Sequence, residues 1–122
     1  MAQHNITGTY GEHLAKQYLI EHGYAIMETN WHHGKHEIDI IAHTEGVIVF
    51  VEVKTRSSYD FGTPQEAVDR KRRRAYISLA NNYLTSNNRS EEARFDIIAI
   101  VANEHGYDLN HIENAFSVID YM

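Results

Sequence analysis

The chain has 122 residues, a formal net charge of −6 at pH 7 and no cysteine. This length supplies one hydrophobic core, so we expect a single domain over residues 1–122. The lack of cysteine excludes disulfides and thiolate metal sites and favours a cytoplasmic location, and no apolar run approaches the roughly 18 residues of a membrane span. The acidic balance argues against a protein that binds nucleic acid only by neutralising phosphates.

The first part of the chain predicts one helix followed by a strand. Residues 9–21 combine a capping pattern, Thr9 with Glu12 three residues later, with apolar residues at helical spacing and a glycine that ends the helix. Residues 24–27 then predict a short strand. The polar residues 30–36 predict a loop that leads into the centre of the fold.

Two further strands are expected over residues 37–43 and 47–54, joined by a tight turn at Glu45-Gly46. With these two loop residues, Thr44 pairs with Val47 in an antiparallel hairpin. Glu-Gly is a weaker turn signal than Asn-Gly, and a slip of one residue would move every side chain of one strand to the other face. All inferences about neighbouring side chains therefore depend on this register.

The second half predicts a bend at Phe61-Gly62 and a long helix that begins at Thr63-Pro64, since proline is favoured at the first helical position, and ends near Leu84. A polar segment over residues 85–92 precedes a strand over 94–101, and the tail supplies a final short strand or an irregular edge. A long helix between two strands joins them in parallel. The order α-β-β-β-α-β therefore predicts an α/β fold with a mixed central sheet flanked by helices.

Four charged residues interrupt the apolar pattern of the central hairpin. In the expected register Asp39 lies opposite Glu52 and Glu37 lies opposite Lys54, and period-two alternation puts all four on one face. The apolar residues expected on the opposite face are Ile38, Ile40, Val49, Val51 and Val53. A strand has no need of charges in its interior, because a buried charge is costly unless it is paired or bound to a metal.

Two carboxylates about 4 Å apart repel each other by roughly 4 kcal/mol at an effective dielectric constant near 20. A lysine offsets part of this repulsion, and a divalent cation offsets more. Mg²⁺ favours one or two carboxylates together with waters and substrate oxygens, so Asp39, Glu52 and the backbone carbonyl of Val53 are candidate ligands. The alternative is a structural ion-pair cluster in which Lys54 balances Glu37 or Glu52, and the pattern alone leaves both interpretations open.

Asp39, followed after twelve residues by Glu52-Val53-Lys54, resembles the signature of PD-(D/E)XK nucleases. More narrowly, nearly the whole chain resembles the YraN-like family of uncharacterised predicted endonucleases, which are related to Holliday junction resolvases. The segments that carry the resemblance are Gly11-Glu12, Ala15, Tyr18-Leu19, Gly23-Tyr24, Asn30, residues 37–42 and 49–56, Phe61-Gly62, Pro64, Glu66-Ala67-Val68, Lys71, Tyr83-Leu84, Arg94-Phe95-Asp96 and Asn114-Ala115-Phe116.

Three positions depart from the patterns of these relatives. His36 stands directly before Glu37, where the family usually has glycine. Ile38 stands where the nuclease signature has its proline, at a position known to vary. Gln65 does not clearly correspond to the glutamine that some relatives carry on the second helix. None of these departures removes a candidate metal ligand.

The resemblance implies a restriction-endonuclease-like fold and an endonuclease that hydrolyses phosphodiester bonds with Mg²⁺ or Mn²⁺. It implies that Asp39 and Glu52 hold the metal, while Lys54 orients the attacking water and stabilises the developing negative charge. Glu12 resembles the acidic residue on the first helix that completes the metal site in resolvase-like relatives. Glu37 either supports this site without binding the metal or pairs with Lys54.

The implied substrate is DNA, branched or structured DNA included, with RNA as an open alternative. A module that keeps the nuclease fold and binds nucleic acid or protein without cutting is the rival interpretation. Resolvase-like relatives pair to cut two strands, which suggests a homodimer by analogy. The candidates for contacts with phosphates are Arg56 and, in the basic run over residues 70–74, Lys71 and Arg72. The alternative interpretation of the basic run is a helix side that faces solvent.

Overall fold

The computed structural model describes residues 2–58 and 68–117, with side chains described from residue 8 onward. These residues form two helices and five strands. In chain order the elements are α1 (Ala2–Glu21), β1 (Ala25–His33), β2 (His36–Thr44), β3 (Val47–Arg56), α2 (Arg70–Ser86), β4 (Glu92–Asn103) and β5 (Gly106–Phe116). Neither of these helices combines the length and the apolar character needed to span a membrane.

The five strands form one mixed sheet whose spatial order, β1-β2-β3-β4-β5, is also their order in the chain. β1, β2 and β3 are an antiparallel meander, β3 and β4 are parallel and connected through α2, and β5 is antiparallel to β4. The predicted α/β fold with a mixed, restriction-endonuclease-like sheet is therefore confirmed. The tail contributes an edge strand of 11 residues, more than the short strand or irregular edge expected.

Each face of the sheet is covered by one helix and has its own apolar core. The core under α2 contains Ile38, Ile41, Ile48, Phe50, Tyr76, Leu79, Phe95 and Phe116. The core under α1 contains Ala15, Leu19, Ile40, Ala42, Val49, Val51, Ile98 and Ile100. Burying one such large side chain stabilises the fold by about 1.5–3 kcal/mol. Because both faces are covered, polar side chains of the central strands can reach solvent only at the ends of the sheet.

α1 packs unusually closely against β3 at Gly11. A Cβ atom built on Gly11 would overlap the hydroxyl of Thr55, so only glycine permits this approach. Ala15 and Leu19, one and two turns further along the same helix, are fully buried on the sheet. The contact fixes the next residue, Glu12, beside the end of β3 where the charged residues lie.

The second helix does not start where the sequence predicted. α2 begins at Arg70, and Asp69 is its N-cap, with a carboxylate that accepts a hydrogen bond from the backbone N–H of Arg72 at 2.8 Å. A helix running unbroken from the proline is therefore wrong, since the aspartate is the stronger start signal. The other features predicted there, Phe61-Gly62, Thr63-Pro64 and Gln65, lie outside the described residues.

The polar residues 30–36, predicted as a loop, instead complete a hairpin. β1 continues to His33, which pairs with His36 of β2 across a turn in which Gly34 has a φ of 64°. β1 is an edge strand with most of its side chains exposed. An edge strand with a solvated face does not need the apolar pattern on which the loop prediction was based.

Candidate active site

The register of the central hairpin is the one predicted. β2 and β3 pair from Thr44–Val47 to Ile40–Val51, and the turn Glu45-Gly46 has φ angles of 47° and 80°, as a type I′ turn requires. The ladder ends at that last pair, one position before Asp39 and Glu52 would face each other. The two strands thus separate where the charged residues begin.

The carboxylate of Asp39 fills the gap between the separated strands. The backbone N–H of Val53 donates to Oδ2 of Asp39 at 2.8 Å, so a side-chain oxygen takes the place of a carbonyl acceptor on β2. The N–H and C=O of one strand residue point to the same side. The carbonyl of Val53 therefore also faces the gap, next to the Asp39 carboxylate.

The alternation of β2 is interrupted at the same point, and the prediction for Ile38 is wrong. Ile38 packs in the core under α2, whereas Ile40 packs in the core under α1. On β1, Thr29 pairs with Ile40 and Trp31 with Ile38, so the intervening Asn30, whose φ is 51°, lies across from Asp39. A strand irregularity shifts the period of two here, and it turns Asp39 toward the gap.

Glu52 lies on the face covered by α2 and is only 2% exposed. Nε of Arg72 donates to its Oε2 at 2.6 Å, and the Nη2 of the same guanidinium lies 3.5 Å from Oε1. The hydroxyl of Tyr76 lies 3.0 Å from Oε1. One arginine and one tyrosine of α2 therefore hold the carboxylate.

The hydroxyl of Tyr76 links the two acidic residues. It accepts a hydrogen bond from the backbone N–H of Asp39 at 3.1 Å and lies within hydrogen-bonding distance of Glu52 Oε1 and of the Val51 carbonyl, the latter at 3.3 Å. Tyr76 is fully buried. A single buried hydroxyl thus fixes the position of β2 relative to β3 where the ladder is broken.

The candidate residues surround one cavity of about 270 Å³ at this end of the sheet. The sheet contributes Asp39, Glu52, Val53 and Lys54, α1 contributes Glu12, and α2 contributes Arg72; Gly8 and Thr55 complete the wall. The side chains of the proposed catalytic set therefore meet, although they come from three elements of the chain, α1, β2 and β3. The broken ladder makes this possible, because the gap is open to residues from both faces.

The electrostatics of the cavity are those of an acidic pair with too few cations. Burial, together with the hydrogen bond and the negative charge of Glu52, holds the pKa of Asp39 well above its usual range. Burial opposes ionisation of Glu52 as well, but the hydrogen bonds from Asp39 and Arg72 lower its pKa. Burial and the charges of Glu37 and Glu52 also raise the pKa of Glu12, against a hydrogen bond from Asn30.

The donors around the cavity fit a hard divalent cation. They are carboxylate oxygens and one backbone carbonyl, the ligands that Mg²⁺ and Mn²⁺ prefer. Among the described residues no three acidic or histidine side chains form a ready-made metal cage. Asp39 and Glu52 would therefore supply part of the coordination, with Val53 and Glu12 nearby, and leave the other positions to water and substrate. A cation bound there would replace the proton that the raised pKa of Asp39 retains.

The comparisons with known proteins agree with the family resemblance. The model of an uncharacterised protein family, UPF0102, matches residues 11–100. The chain belongs to the UPF0102 family. A UPF0102 protein of Flavobacterium psychrophilum is 47% identical over 116 residues, which span 95% of this chain and 98% of the relative. UPF0102 proteins of Parabacteroides distasonis and Flavobacterium johnsoniae are each 42% identical, spanning 95% of this chain and 96% and 98% of theirs. The family description states no activity.

In this UPF0102 protein Glu37 lies outside the cavity, and its predicted opposition to Lys54 is wrong because the ladder ends before that pair. Its carboxylate is 3.0 Å from Nε2 of His32 on β1, and its backbone carbonyl accepts a hydrogen bond from Arg72 at 3.2 Å. Lys54 lines the cavity instead. Glu37 therefore contacts the site through its main chain rather than through its acid.

The predicted phosphate-binding residues have different surroundings. Arg72 is turned inward onto Glu52, whereas Lys71 is exposed on the first turn of α2. Arg56 is partly exposed at the end of β3, where it pairs with Val101 of β4. Lys71 and Arg56 thus remain candidates for contacts with a substrate, and Arg72 has a partner inside the protein.

Sequence reasoning missed Tyr76 and Asn30 as parts of the UPF0102 site. Tyr76 lies four residues after Arg72 and therefore on the same face of the helix. A tyrosine that faces a core needs a partner for its hydroxyl, and that requirement was the available signal. Asn30 gave no such signal, because its positive φ and its hydrogen bond to Glu12 arise from the irregular pairing of β1 with β2.

Proposed function

We propose that this UPF0102 protein is an endonuclease that hydrolyses phosphodiester bonds in DNA with Mg²⁺ or Mn²⁺ as cofactor. The observation that carries the proposal is the meeting of Asp39, Glu52 and Lys54 around one cavity, at the point where β2 and β3 separate. A stability role alone gives no reason for two buried carboxylates in contact, because their repulsion and desolvation both cost free energy.

In this proposal each side chain has a separate task. Asp39 and Glu52 would hold the metal, with the Val53 carbonyl and Glu12 as further oxygen donors. The metal, when bound, polarises the phosphate and lowers the pKa of a bound water. The ammonium group of Lys54 orients that water and stabilises the negative charge that develops on the phosphate oxygens. The hydroxyl of Tyr76 holds the main chain at Asp39 next to the carboxylate of Glu52.

The substrate class rests on the nuclease resemblance and on the cations near the cavity. Lys54 lines its wall, and Lys71 and Arg56 lie on α2 and β3, two of the elements that contribute residues to that wall, where they are candidates for contacts with a phosphate backbone. The net charge of −6 makes a specific DNA structure, such as a branched junction, a better substrate than any duplex at random. A homodimer would allow both strands of such a junction to be cut.

One observation favours the rival function, a nucleic-acid-binding module without turnover. Arg72 already neutralises Glu52 at 2.6 Å, so the acid has a counterion without any metal. A module of this kind would bind branched DNA equally well with Mg²⁺ or with chelator. A nuclease requires the cation for cutting.

The test is a cleavage assay with purified protein on supercoiled, single-stranded and four-way-junction DNA and on labelled RNA, with Mg²⁺, Mn²⁺ or chelator. We expect metal-dependent cleavage of DNA that falls by about 100-fold or more in Asp39→Asn and in Lys54→Met. Glu104→Gln is the matched control, because it removes an acid that is exposed on the turn before β5. Equal activity of wild type and Asp39→Asn, or binding without cleavage, would favour the module; preferential cleavage of RNA would change the substrate class.

A further inference from the structure

Arg72 is held inside the candidate site by more contacts than a surface arginine needs. Its Nε donates to Glu52 Oε2 at 2.6 Å, and its Nη2 donates to the Glu37 carbonyl at 3.2 Å. The guanidinium carbon also lies 5.1 Å from the centre of the Tyr76 ring. The side chain is nevertheless about one-third exposed, and it lines the same cavity as Lys54 and Asp39.

These contacts conflict with metal binding by Glu52. Both carboxylate oxygens are engaged, Oε2 by Arg72 and Oε1 chiefly by the Tyr76 hydroxyl. Each oxygen keeps a second lone pair, but a cation at Oε2 lies next to the guanidinium of Arg72 and is repelled by its positive charge. Tyr76 cannot give way easily, because it is fully buried and its hydroxyl also bonds the backbone N–H of Asp39. Arg72 is long, partly exposed and near the start of a helix, so it is the donor that can leave.

We propose that Arg72 is an exchangeable counterion: it holds Glu52 in the metal-free protein, releases it when a divalent cation binds, and then contacts a phosphate group of the substrate. The inference rests on the proposed metal site and adds a second event to it. The released guanidinium stays at the mouth of the cavity that it lines with Lys54, where a phosphate is the natural partner for its planar fork of donors.

The exchange has a thermodynamic consequence. A cation arriving alone has to break the bond between Arg72 and Glu52 without any replacement for the guanidinium. When a phosphate is present, Arg72 gains a new partner as it leaves, so the cation binds more tightly. Linkage makes this reciprocal, and the cation must raise the affinity for phosphate by the same factor. Metal and substrate would therefore bind together, and the site would hold little metal in the absence of substrate.

The first experiment is calorimetric titration of the whole protein with Mn²⁺ at pH 8, with wild type, Arg72→Gln and Lys71→Gln. We expect Arg72→Gln to bind Mn²⁺ about tenfold more tightly than wild type, the effect of one charge-assisted hydrogen bond that no longer has to break. Lys71→Gln is the matched control for metal affinity, since it removes a positive charge from the adjacent, exposed position. Its affinity should change by less than about twofold.

The second experiment follows the exchange first in the unmodified chain, where its main readout does not depend on the folding of a variant. The Nε–H resonance of Arg72 in a ¹⁵N spectrum should move toward the position of exposed arginines on addition of Mg²⁺, and in Glu52→Gln it should lie there already. Inorganic phosphate at millimolar concentration should raise the Mn²⁺ affinity of wild type and leave that of Arg72→Gln almost unchanged.

Each result has one meaning. Equal or weaker Mn²⁺ binding by folded Arg72→Gln, or an Arg72 resonance that Mg²⁺ leaves in place while Mn²⁺ binds, overturns the exchange and leaves the proposed nuclease site intact. No Mn²⁺ binding by either wild type or Arg72→Gln overturns both. Tighter binding by the variant without any effect of phosphate supports the competition for Glu52 and overturns the second half of the exchange.

Discussion

The described part of the chain contains two buried acidic sites on the same sheet, and they differ in how their charge is balanced. Asp96 on β4 is fully buried. Its carboxylate accepts hydrogen bonds from Arg94 at 2.9 and 2.8 Å and from the Asn114 backbone N–H at 3.0 Å. It also shares a hydrogen bond with Nε2 of His111 at 2.6 Å. At the other site the carboxyl groups of Asp39 and Glu52 share a hydrogen bond with each other.

The pKa of Asp39 moves in the opposite direction from that of Asp96. Burial alone would raise the pKa of Asp96, but the hydrogen bonds from His111, Arg94 and the Asn114 main chain lower it. At the other site burial and the neighbouring Glu52 raise the pKa of Asp39. The sheet therefore holds one acid as a stable anion and holds another, at a cavity, close to a like charge.

The difference indicates how a structural acid can be told from a functional one. The protein itself supplies the hydrogen-bond donors of Asp96, so this carboxylate does not need a ligand to balance its charge. Asp39 and Glu52 share one arginine, one tyrosine and one backbone N–H between them, and a cation would improve their balance. A buried acid that lacks counterions and faces a cavity is a candidate for function.

The largest difference is expected when each acid is replaced by its amide. Asp96→Asn leaves Arg94 and His111 without their anion and should lower the free energy of unfolding by about 3 kcal/mol or more. Asp39→Asn removes one of two touching acids and should leave the metal-free protein as stable as wild type, or more stable. Urea unfolding at pH 7 with chelator measures both, and similar losses in the two variants would remove the distinction between the sites.

The pH dependence of stability should separate the sites next. The folded state keeps a proton on Asp39 that the unfolded chain releases near pH 4. The free energy of unfolding of the metal-free protein therefore falls as the pH rises from about 4 through the raised pKa of Asp39. The slope is at most about 1.4 kcal/mol per pH unit. Asp39→Asn should flatten this slope between pH 5 and 8. The pH dependence due to Asp96 has the opposite sign, because its stabilising contribution is present above about pH 4 and is lost as the pH falls below that value.

Tyrosine hydroxyls lie at both acidic sites, Tyr76 at one and Tyr18 and Tyr24 at the other, and Tyr76 and Tyr18 provide a matched pair of substitutions. Tyr76→Phe removes a fully buried hydroxyl that bonds Asp39 and Glu52, and it should cost about 1–3 kcal/mol of stability. Tyr18→Phe removes a partly exposed hydroxyl that lies 3.1 Å from Nδ1 of His111, and it should cost about 1 kcal/mol or less. Only Tyr76→Phe should weaken Mn²⁺ binding; an equal effect of Tyr18→Phe would contradict the assignment.

The smallest expected effect is the stabilisation by metal. At a Mg²⁺ concentration ten times its Kd, wild type should gain about 1.4 kcal/mol, and chelator should reverse the gain. Asp39→Asn and Glu52→Gln should show no shift in the thermal midpoint, whereas Asp96→Asn should show the same shift from its lower starting value. A shift that survives in Asp39→Asn would place the cation elsewhere on the protein.

The sequence predicted the parts of this molecule that depend on local pattern. The turn residues Glu45-Gly46 set the hairpin register, and this register alone predicts that Asp39 lies near Glu52. The α/β class followed from a long helix between two strands. Both conclusions need only the turn chemistry and the spacing of apolar residues.

The parts that it did not predict depend on tertiary contacts or on competing local signals. The bond between Arg72 and Glu52 joins residues 20 positions apart, and a run of basic residues gives no sign of which one turns inward. The side on which Ile38 packs depends on the irregular pairing with β1. The predicted start of α2 at the proline is wrong because Asp69, a strong N-cap residue, begins the helix later in the chain.

The match between strand order and chain order has a consequence for folding. β1, β2 and β3 are joined by short turns, so they can assemble from local contacts with little loop-closure entropy. Asp39 and Glu52 both belong to this early meander, but Arg72 and Tyr76 belong to α2, which follows later in the chain. The acids would then meet before their neutralising partners arrive, and docking of α2 would be the step that makes their burial tolerable.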